Sequence, residues 1–217
     1  GELTADMAHE LNKPLMAVYG GSQLCSILIK DIKDEKLKKN LQIIFEQTQK
    51  AKDIIQRVLT FSKPNKGQTK ELDINDTVDF IAQLVEDQYS LANIKIIRNY
   101  TPNLPRVTID QRQISEVFMN LIRNASEAMP KGGSIAISTS RQEDNIYIDF
   151  KDAGTGMSEE ILQQIFNPFF TTKKLGAGLG LSVCYGVIKA HGGELKYKSK
   201  LDEGTTATVV LPVGGQK

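Results

Sequence analysis

Apolar or small residues recur at alternating steps of four and three through the first third of the chain. This is the spacing of the a and d positions of a coiled coil, and it predicts two helices whose seams pack together. The short polar stretch Lys33–Lys36 between them predicts that the helices fold back as an antiparallel hairpin. The seam positions are Met7, Leu11, Leu15, Val18, Ser22, Cys25, Ile29 and Ile32, then Leu37, Leu41, Ile44, Thr48, Ala51, Ile55 and Val58.

A lone hairpin leaves each seam only one neighbouring helix. A second copy of the chain would close a four-helix bundle, so we expect a homodimer through the hairpin. The alternative is that the seam packs against the rest of the same chain.

The heptad pattern ends at a stretch rich in Lys, Pro and Gly, which is typical of a linker. We expect a helical hairpin over residues 1–62, a linker over 63–68 and a second domain over 69–217. That domain alternates strand-like and helical segments, which predicts an α/β or α+β sandwich. Its predicted strands are Glu71–Ile74, Ile94–Tyr100, Arg106–Ile109, Ser134–Ser140, Ile146–Asp152, Glu194–Ser199 and Thr205–Leu211. Its predicted helices are Asn75–Tyr89, Gln111–Met129 and Leu179–Ala190, with Asn75 and Asp110 as N-cap candidates.

Charged residues are balanced, since 27 Lys and Arg against 26 Asp and Glu give a formal net charge of +1. The chain therefore lacks the single-sign field that attracts nucleic acid or an anionic membrane surface, and we expect neither as a partner. No apolar run reaches the length of about 18 residues that a membrane span needs, so we expect this fragment to be soluble and cytoplasmic; whether its parent protein crosses a membrane lies outside this sequence. Cys25 and Cys184 lie in apolar stretches and are interpreted as core residues of a reducing compartment.

Three segments of the second domain carry candidate chemistry. Gly154 and Gly156 follow a strand, and a second glycine cluster, Gly176, Gly178 and Gly180, opens a helix. Glycines at a helix start let backbone N–H groups approach an anion, so phosphate binding is expected, although neither cluster has the spacing of a Walker A or Rossmann loop. A third segment places three polar residues on one face of a predicted helix, toward its buried side. These residues are Asn120, Asn124 and Glu127.

Five segments, in this order, resemble the H, N, G1, F and G2 boxes of sensor histidine kinases. They are Met7–Leu15, Asn120–Met129, Asp152–Met157, Phe166–Lys173 and Gly176–Ser182. The resemblance implies a multidomain protein: an all-α hairpin that forms a four-helix bundle as a dimer, followed by an ATP-binding α/β sandwich of the Bergerat (GHKL) type. ATP and Mg²⁺ are the implied cofactors.

The resemblance also implies roles for single residues around the nucleotide. Asp152 would accept a hydrogen bond from the exocyclic amine of adenine, and Thr205 would lie behind it. Gly154 and Gly156 would let the backbone pass close to the ring. Asn124 would ligate Mg²⁺, an ion suited to an amide oxygen, with Asn120 and Glu127 beside it. Gly176, Gly178 and Gly180 would form the hinge of the ATP lid, and Lys173 could reach the terminal phosphate.

His9 is the implied phosphoacceptor of an autokinase that passes its phosphoryl group to the receiver domain of a response regulator. Glu10 would hold one ring N–H so that the other nitrogen attacks in line. Pro14 predicts a loosened turn beside the histidine. Lys13 stands where relatives with phosphatase activity carry Thr or Asn, which puts that activity in doubt. His191 precedes two glycines and is expected to end a helix as an imidazolium without a catalytic role.

Two rival functions stay open from the residues. One is a Bergerat-fold ATPase or a protein serine kinase, in which His9 would be irrelevant. Hydrolytic relatives of the fold carry a glutamate four residues before the magnesium asparagine, where this chain has Asn120, and an amide cannot take a proton from water as a carboxylate can. The other rival is a dimeric scaffold without catalysis.

Overall fold

The computed structural model describes residues 15–25, 27, 35–62, 68–173 and 178–214. The chain divides into two compact units, Gly1–Asn65 and Lys66–Lys217. Several residues singled out in the sequence lie outside the described residues: the candidate site residues His9, Glu10 and Gly176, together with Lys13, Pro14 and the seam positions Met7, Leu11, Ile29 and Ile32.

The first unit contains helix α1, residues 15–25, and helix α2, Glu35–Ser62. The rings of Tyr19 on α1 and Phe45 on α2 stack with their centroids 6.0 Å apart. Two seam positions are polar and buried, and each satisfies its hydroxyl within its own helix: Ser22 donates to the Tyr19 carbonyl at 2.8 Å and Thr48 to the Ile44 carbonyl at 2.7 Å. The turn predicted over Lys33–Lys36 was too long, because α2 already begins at Glu35. Glu35 is an acidic residue, which suits the first turn of a helix.

Several seam positions of the hairpin stay exposed within one chain. Val18 is 54% exposed, Leu37 48% and Ile44 49%. Cys25 is only half-buried, so its interpretation as a core residue does not hold within one chain, whereas Cys184 is buried. The single hairpin therefore leaves an apolar stripe in contact with solvent.

The second unit is built around a five-stranded sheet. The strands of this unit are β1 Lys70–Leu72, β2 Ile94–Tyr100, β3 Val107–Ile109, β4 Gly133–Gln142, β5 Asn145–Asp152, β6 Glu194–Lys200 and β7 Gly204–Pro212, and the helices are α3 Ile74–Leu91, α4 Gln111–Glu127, α5 Glu159–Leu162 and α6 Gly180–Ala190. The strand order of the sheet is β2-β4-β5-β7-β6; β2 and β4 are parallel and every other neighbouring pair is antiparallel. Strands β1 and β3 form a separate antiparallel pair.

One face of the sheet carries the core. On β5 the alternate residues Ile146, Ile148 and Phe150 are almost fully buried, as the period of two requires. Helices α3, α4 and α6 contribute the opposing apolar side chains. The rings of Phe118 on α4 and Phe150 on β5 meet at 5.4 Å. The unit is thus a two-layer sandwich with its helices on one side of a mixed sheet.

Two sequence predictions near α3 were wrong. Ile74 does not end a strand but begins α3, where it is fully buried. The N-cap of α3 is Asp73, whose carboxylate accepts the Asn75 N–H at 2.8 Å, rather than Asn75 itself. The Asn75 side chain instead donates to the Thr101 carbonyl at 2.9 Å, a contact across 26 positions of the chain. Asp110 is the N-cap of α4, as predicted.

Candidate functional site

A buried carboxylate ends strand β5. Asp152 is 5% exposed, and its Oδ1 atom accepts the N–H groups of Gly154 at 2.8 Å and Thr205 at 3.2 Å. Within the described ranges, no hydrogen bond engages the Oδ2 atom of Asp152, which leaves it available to a ligand. Burial raises the pKa of the Asp152 carboxyl, and the hydrogen bonds from Gly154 and Thr205 oppose that shift.

The loop after Asp152 fits tightly under the turn between β6 and β7. Gly156 has φ +62°, and a Cβ atom there would lie 1.9 Å from the Lys200 carbonyl oxygen, so only glycine fits. Ser199, which the sequence reasoning missed, joins the two segments. Its hydroxyl accepts the Met157 N–H at 2.9 Å, donates to the Gly204 carbonyl at 3.1 Å and lies 2.8 Å from the Thr205 hydroxyl.

The same loop reaches the end of α4, because the Thr155 N–H donates to the carbonyl of Ala128 at 3.1 Å. Asn120 and Asn124 lie on α4 at the edge of its buried stripe, and both are half-buried, whereas Glu127 is exposed. The predicted placement on the buried side was therefore wrong for Glu127, whereas the two asparagines lie at the edge of the buried stripe. The row borders the apolar stripe and faces a surface that a ligand can reach.

Arg123 organises this row and was not singled out from the sequence. Its guanidinium donates to Asn120 Oδ1 at 2.6 Å and lies 3.9 Å from the Glu127 carboxylate. The sequence spacing could have identified Arg123 as a member of this row, since it stands three residues after Asn120 and four before Glu127, on the same helix face.

A cation already occupies the oxygen atoms at the end of α4. The Lys173 ammonium donates to Asn124 Oδ1 at 3.0 Å and also to the Glu127 carboxylate. An amide oxygen beside a carboxylate is a hard oxygen donor set, so this position suits a divalent cation that keeps most of its other ligands as water or phosphate oxygens. In the described part of the chain no group of three or more His, Cys, Asp and Glu side chains could hold a metal by itself.

Helix α6 begins without a side-chain cap. Its N-cap residue, Leu179, makes no capping hydrogen bond, so the first N–H groups of the helix remain available to an anion. Gly178 precedes it with φ +67° and packs so closely that a Cβ atom would lie 2.3 Å from the Phe169 carbonyl carbon. A Cβ atom at Gly180 would lie 3.2 Å from Asn120 Oδ1, so the helix start adjoins the polar row of α4.

His191 ends α6, as expected, but it is not an imidazolium. Its Nε2 atom accepts the Asp110 N–H at 3.0 Å, which requires an unprotonated nitrogen. Its Nδ1 atom lies 2.8 Å from the Val187 carbonyl and carries the ring proton. The expected ion at the helix end was therefore wrong, and a neutral ring with one defined tautomer takes its place.

The structure brings the described candidates into one region. Asp152, Gly154, Gly156 and Thr205 form one part of it, and Asn120, Asn124, Glu127, Lys173, Gly178 and Gly180 form the other, joined through Thr155 and Ala128. The first part offers a hydrogen-bond acceptor, and the second offers a helix N-terminus and oxygen ligands. This combination suits a base at one end and phosphates with a cation at the other.

Two families match this chain in adjacent regions. The family of histidine kinase-, DNA gyrase B- and HSP90-like ATPases matches residues 109–215, and the His Kinase A (phospho-acceptor) domain matches residues 1–67. The chain belongs to the sensor histidine kinase family. Its second unit is accordingly an ATP-binding domain of the GHKL type, and its first unit contains the phosphoacceptor region.

Individual histidine kinases agree with this assignment. Sporulation kinase C of Bacillus subtilis (strain 168) is 36% identical over 213 residues, which are 98% of this chain and 49% of that protein. The catalytic domain of histidine kinase ThkA is 30% identical with a TM-score of 0.62, and the match covers 67% of this chain and 95% of that domain. ThkA in complex with the response regulator protein TrrA matches 98% of this chain and 61% of that one, with 29% identity and a TM-score of 0.71.

This histidine kinase chain thus spans about half the length of sporulation kinase C. No helix within the described ranges combines the length and the apolarity that a membrane crossing requires.

Proposed function

We propose that the chain is an ATP-dependent autokinase that phosphorylates its own His9 and then passes the phosphoryl group to an aspartate of a response regulator. The observation that carries the proposal is the pairing, in one unit, of the free Asp152 oxygen with the uncapped start of α6 beside Asn120. The two ends offer complementary contacts to a purine base and to its phosphates.

The base end selects a ring that presents a hydrogen-bond donor. Asp152 Oδ2 accepts a hydrogen from the exocyclic amine of adenine, while its Oδ1 atom stays fixed by two backbone N–H groups. The Ser199 hydroxyl holds Thr205 and the Met157 backbone in place beside the carboxylate. Gly154 and Gly156 allow the backbone to approach the ring.

The phosphate end combines the α6 N-terminus with side chains of α4 and the lid. The first N–H groups of α6 bind phosphate oxygens, favoured by the helix dipole. Asn124 Oδ1 is the proposed protein ligand of Mg²⁺, with Glu127 as a neighbouring carboxylate; when bound, the ion neutralises negative charge on the phosphates. Lys173 then leaves Asn124 and contacts the terminal phosphate, and Gly176, Gly178 and Gly180 serve as the lid hinge.

The transfer itself joins a ring nitrogen of His9 to the γ-phosphorus. The unprotonated ring nitrogen attacks in line, the bond from the γ-phosphorus to the bridging oxygen breaks, and ADP departs. Glu10 accepts a hydrogen bond from the other ring N–H and stabilises the positive charge that develops on the imidazole. In the second step a carboxylate oxygen of the regulator attacks the same phosphorus and the neutral imidazole leaves.

Plain hydrolysis is disfavoured by the side chain at position 120. Its amide oxygen accepts a hydrogen bond from Arg123 at 2.6 Å, and an amide has no basic site for a proton from water. A protein nucleophile is therefore the better acceptor of the phosphoryl group.

The hairpin supplies the proposed partners. The exposed seam residues Val18, Leu37 and Ile44 support a homodimer in which a second chain covers the apolar stripe. The complex of ThkA with TrrA supports docking of a response regulator receiver domain on this kinase. We assign residues 1–62 to the dimerisation and phosphotransfer domain, 63–68 to the linker and 69–217 to the ATP-binding catalytic domain.

Labelling with γ-phosphate-tagged ATP and Mg²⁺ tests the proposal. We expect an acid-labile, alkali-stable label on the wild-type chain and none on His9→Gln. An acid-stable label, or a label unchanged in His9→Gln, would overturn it. Mixing His9→Gln with Asn124→Asp reports whether transfer crosses the dimer, since label on the Asn124→Asp chain requires transfer in trans.

A further inference from the structure

The imidazole of His191 joins the end of one helix to the beginning of another. It accepts the Asp110 N–H at 3.0 Å through Nε2, and it donates from Nδ1 to the Val187 carbonyl at 2.8 Å. Asp110 is the buried N-cap of α4, and Val187 lies in the last turn of α6. The ring therefore links the positive end of the α4 dipole to the negative end of the α6 dipole.

The Asp110 N–H has a reason to need this acceptor. Strand β3 ends at Ile109, so its ladder with β1 stops one residue earlier, and the Asp110 carboxylate is engaged with Gln113. A buried backbone N–H without an acceptor is destabilising. The Nε2 atom of His191 accepts this N–H. The resulting hydrogen bond fixes a direction and a distance between the two helices, which non-directional apolar packing does not do.

Helices α4 and α6 run in opposite directions, and the two contacts between them are almost equally spaced along each helix. His191 lies eleven residues after Gly180, and Asp110 lies ten residues before Asn120, which correspond to about 15–17 Å along each helix axis. At the far end a Cβ atom on Gly180 would lie 3.2 Å from Asn120 Oδ1. The contact at His191 and Asp110 therefore also determines which residues of α6 stand beside Asn120.

We propose that His191 is a positioning residue that sets the axial register of α6 on α4, and so places the phosphate-facing start of α6 beside Asn120. The inference rests on the proposed nucleotide site. His191 lies in neither part of that site, and the hydrogen-bond partners of Asp152 at the base end, Gly154 and Thr205, do not belong to α6. Loss of the ring contact thus affects the phosphates and spares the adenine.

The test compares His191→Leu with His191→Gln in the full chain. Leucine fills similar space without an acceptor, whereas the glutamine Oε1 atom can accept the Asp110 N–H. Calorimetric titrations with adenosine and with a non-hydrolysable ATP analogue, both in the presence of Mg²⁺, separate the two ends of the site. We expect His191→Leu to bind the ATP analogue about tenfold more weakly and adenosine less than twofold more weakly, with most of the loss restored in His191→Gln.

A control variant separates positioning from a general loss of stability. Ile96→Val removes one buried methyl group from β2, away from α4 and α6, and should leave both affinities unchanged. Hydrogen exchange of the Asp110 amide reports directly on its hydrogen bond to residue 191, and the exchange should accelerate in His191→Leu only.

Equal weakening of adenosine and of the analogue, or no weakening of either, would overturn the positioning role. If the wild-type chain bound neither compound, the proposed nucleotide site itself would fail, which is a distinguishable result.

Discussion

The Lys173 ammonium donates to Asn124 Oδ1 at 3.0 Å, the same oxygen atom that we propose as the protein ligand of Mg²⁺. Glu127 binds the same ammonium. Lys173 is the last residue of the F box and precedes the lid glycines, so this contact holds the end of the F box against α4. A divalent cation at Asn124 and the lysine cannot use that position together, because like charges repel at such a distance.

Lys173→Met should therefore change how the site responds to Mg²⁺. Without the competing ammonium, the Mg²⁺ concentration for half-maximal binding of ADP, which lacks the terminal phosphate that Lys173 contacts, should fall a few-fold; this corresponds to less than about 1 kcal/mol because the pair is exposed. A titration with Mg²⁺ at a fixed nucleotide concentration measures this half-maximal concentration. Lys189→Met, an exposed lysine on α6, is the matched control; a shift of equal size there, or none in Lys173→Met, would contradict the competition.

Asp152 combines a binding role with a cost in stability. Burial raises the pKa of its carboxyl, so the folded chain holds this proton more tightly than the unfolded chain does. The stability that the group contributes is present below the ordinary carboxyl pKa and is lost as the pH rises through the raised value. At neutral pH the folded chain therefore carries an ionised group in an unfavourable environment.

Asp152→Asn should separate the two effects. Its amide oxygen can still accept from Gly154 and Thr205, while its NH₂ group replaces the acceptor that adenine needs. We expect ATP affinity to fall about 10- to 100-fold, the value of one charge-assisted hydrogen bond. We also expect the free energy of unfolding at pH 7 to exceed that of the wild type, with the difference shrinking as the pH falls from the raised pKa of the folded chain to the ordinary carboxyl pKa. Thermal unfolding of both chains across a pH series tests this expectation. A wild-type chain that is more stable than Asp152→Asn at pH 7 would contradict the expected gain in stability.

Much of the fold could be predicted from local patterns. The alternation in Ile94–Tyr100 predicted β2 with its observed ends, and the Asp110 cap predicted the start of α4. Helix α5, Glu159–Leu162, was missed because four residues are too few to show a helical period. The choice of Asp73 over Asn75 as the α3 cap depends on the distant Thr101 carbonyl, which draws the Asn75 side chain away.

The site divides in the same way. Ordered motifs pointed to Asp152, the asparagines of α4 and the glycines, because each motif is local. The roles of Ser199 and His191 depend on partners more than 40 positions away, at Met157 and Asp110 respectively, and no spacing along the chain encodes such contacts. The protonation state of His191 was wrong for that reason, since it depends on which atom faces Nε2.

The exposed seam of the hairpin predicts a dimer that one substitution can separate. Ile44 is 49% exposed within one chain, so Ile44→Glu should leave the hairpin folded while it places a charge in the proposed seam between chains. Sedimentation should shift from dimer toward monomer. Lys39→Glu, an exposed position on the opposite face of α2, changes charge without touching the seam and should stay dimeric. Two variants with the same oligomeric state would contradict the seam as the interface.

Gly156 and Gly186 form a matched pair for alanine substitution. At Gly156, φ is +62° and the new Cβ atom would lie 1.9 Å from the Lys200 carbonyl oxygen, so the loop beside Asp152 must move. We expect Gly156→Ala to destabilise the second unit by about 1–3 kcal/mol and to remove most ATP binding. At Gly186, in the middle of α6, nothing lies within 4 Å of the added atom. Gly186→Ala should therefore stabilise the helix by about 0.5–1 kcal/mol and leave ATP affinity unchanged. Thermal unfolding and nucleotide titration of both variants measure this, and destabilisation by Gly186→Ala would show that α6 packs more tightly there than its exposed surface indicates.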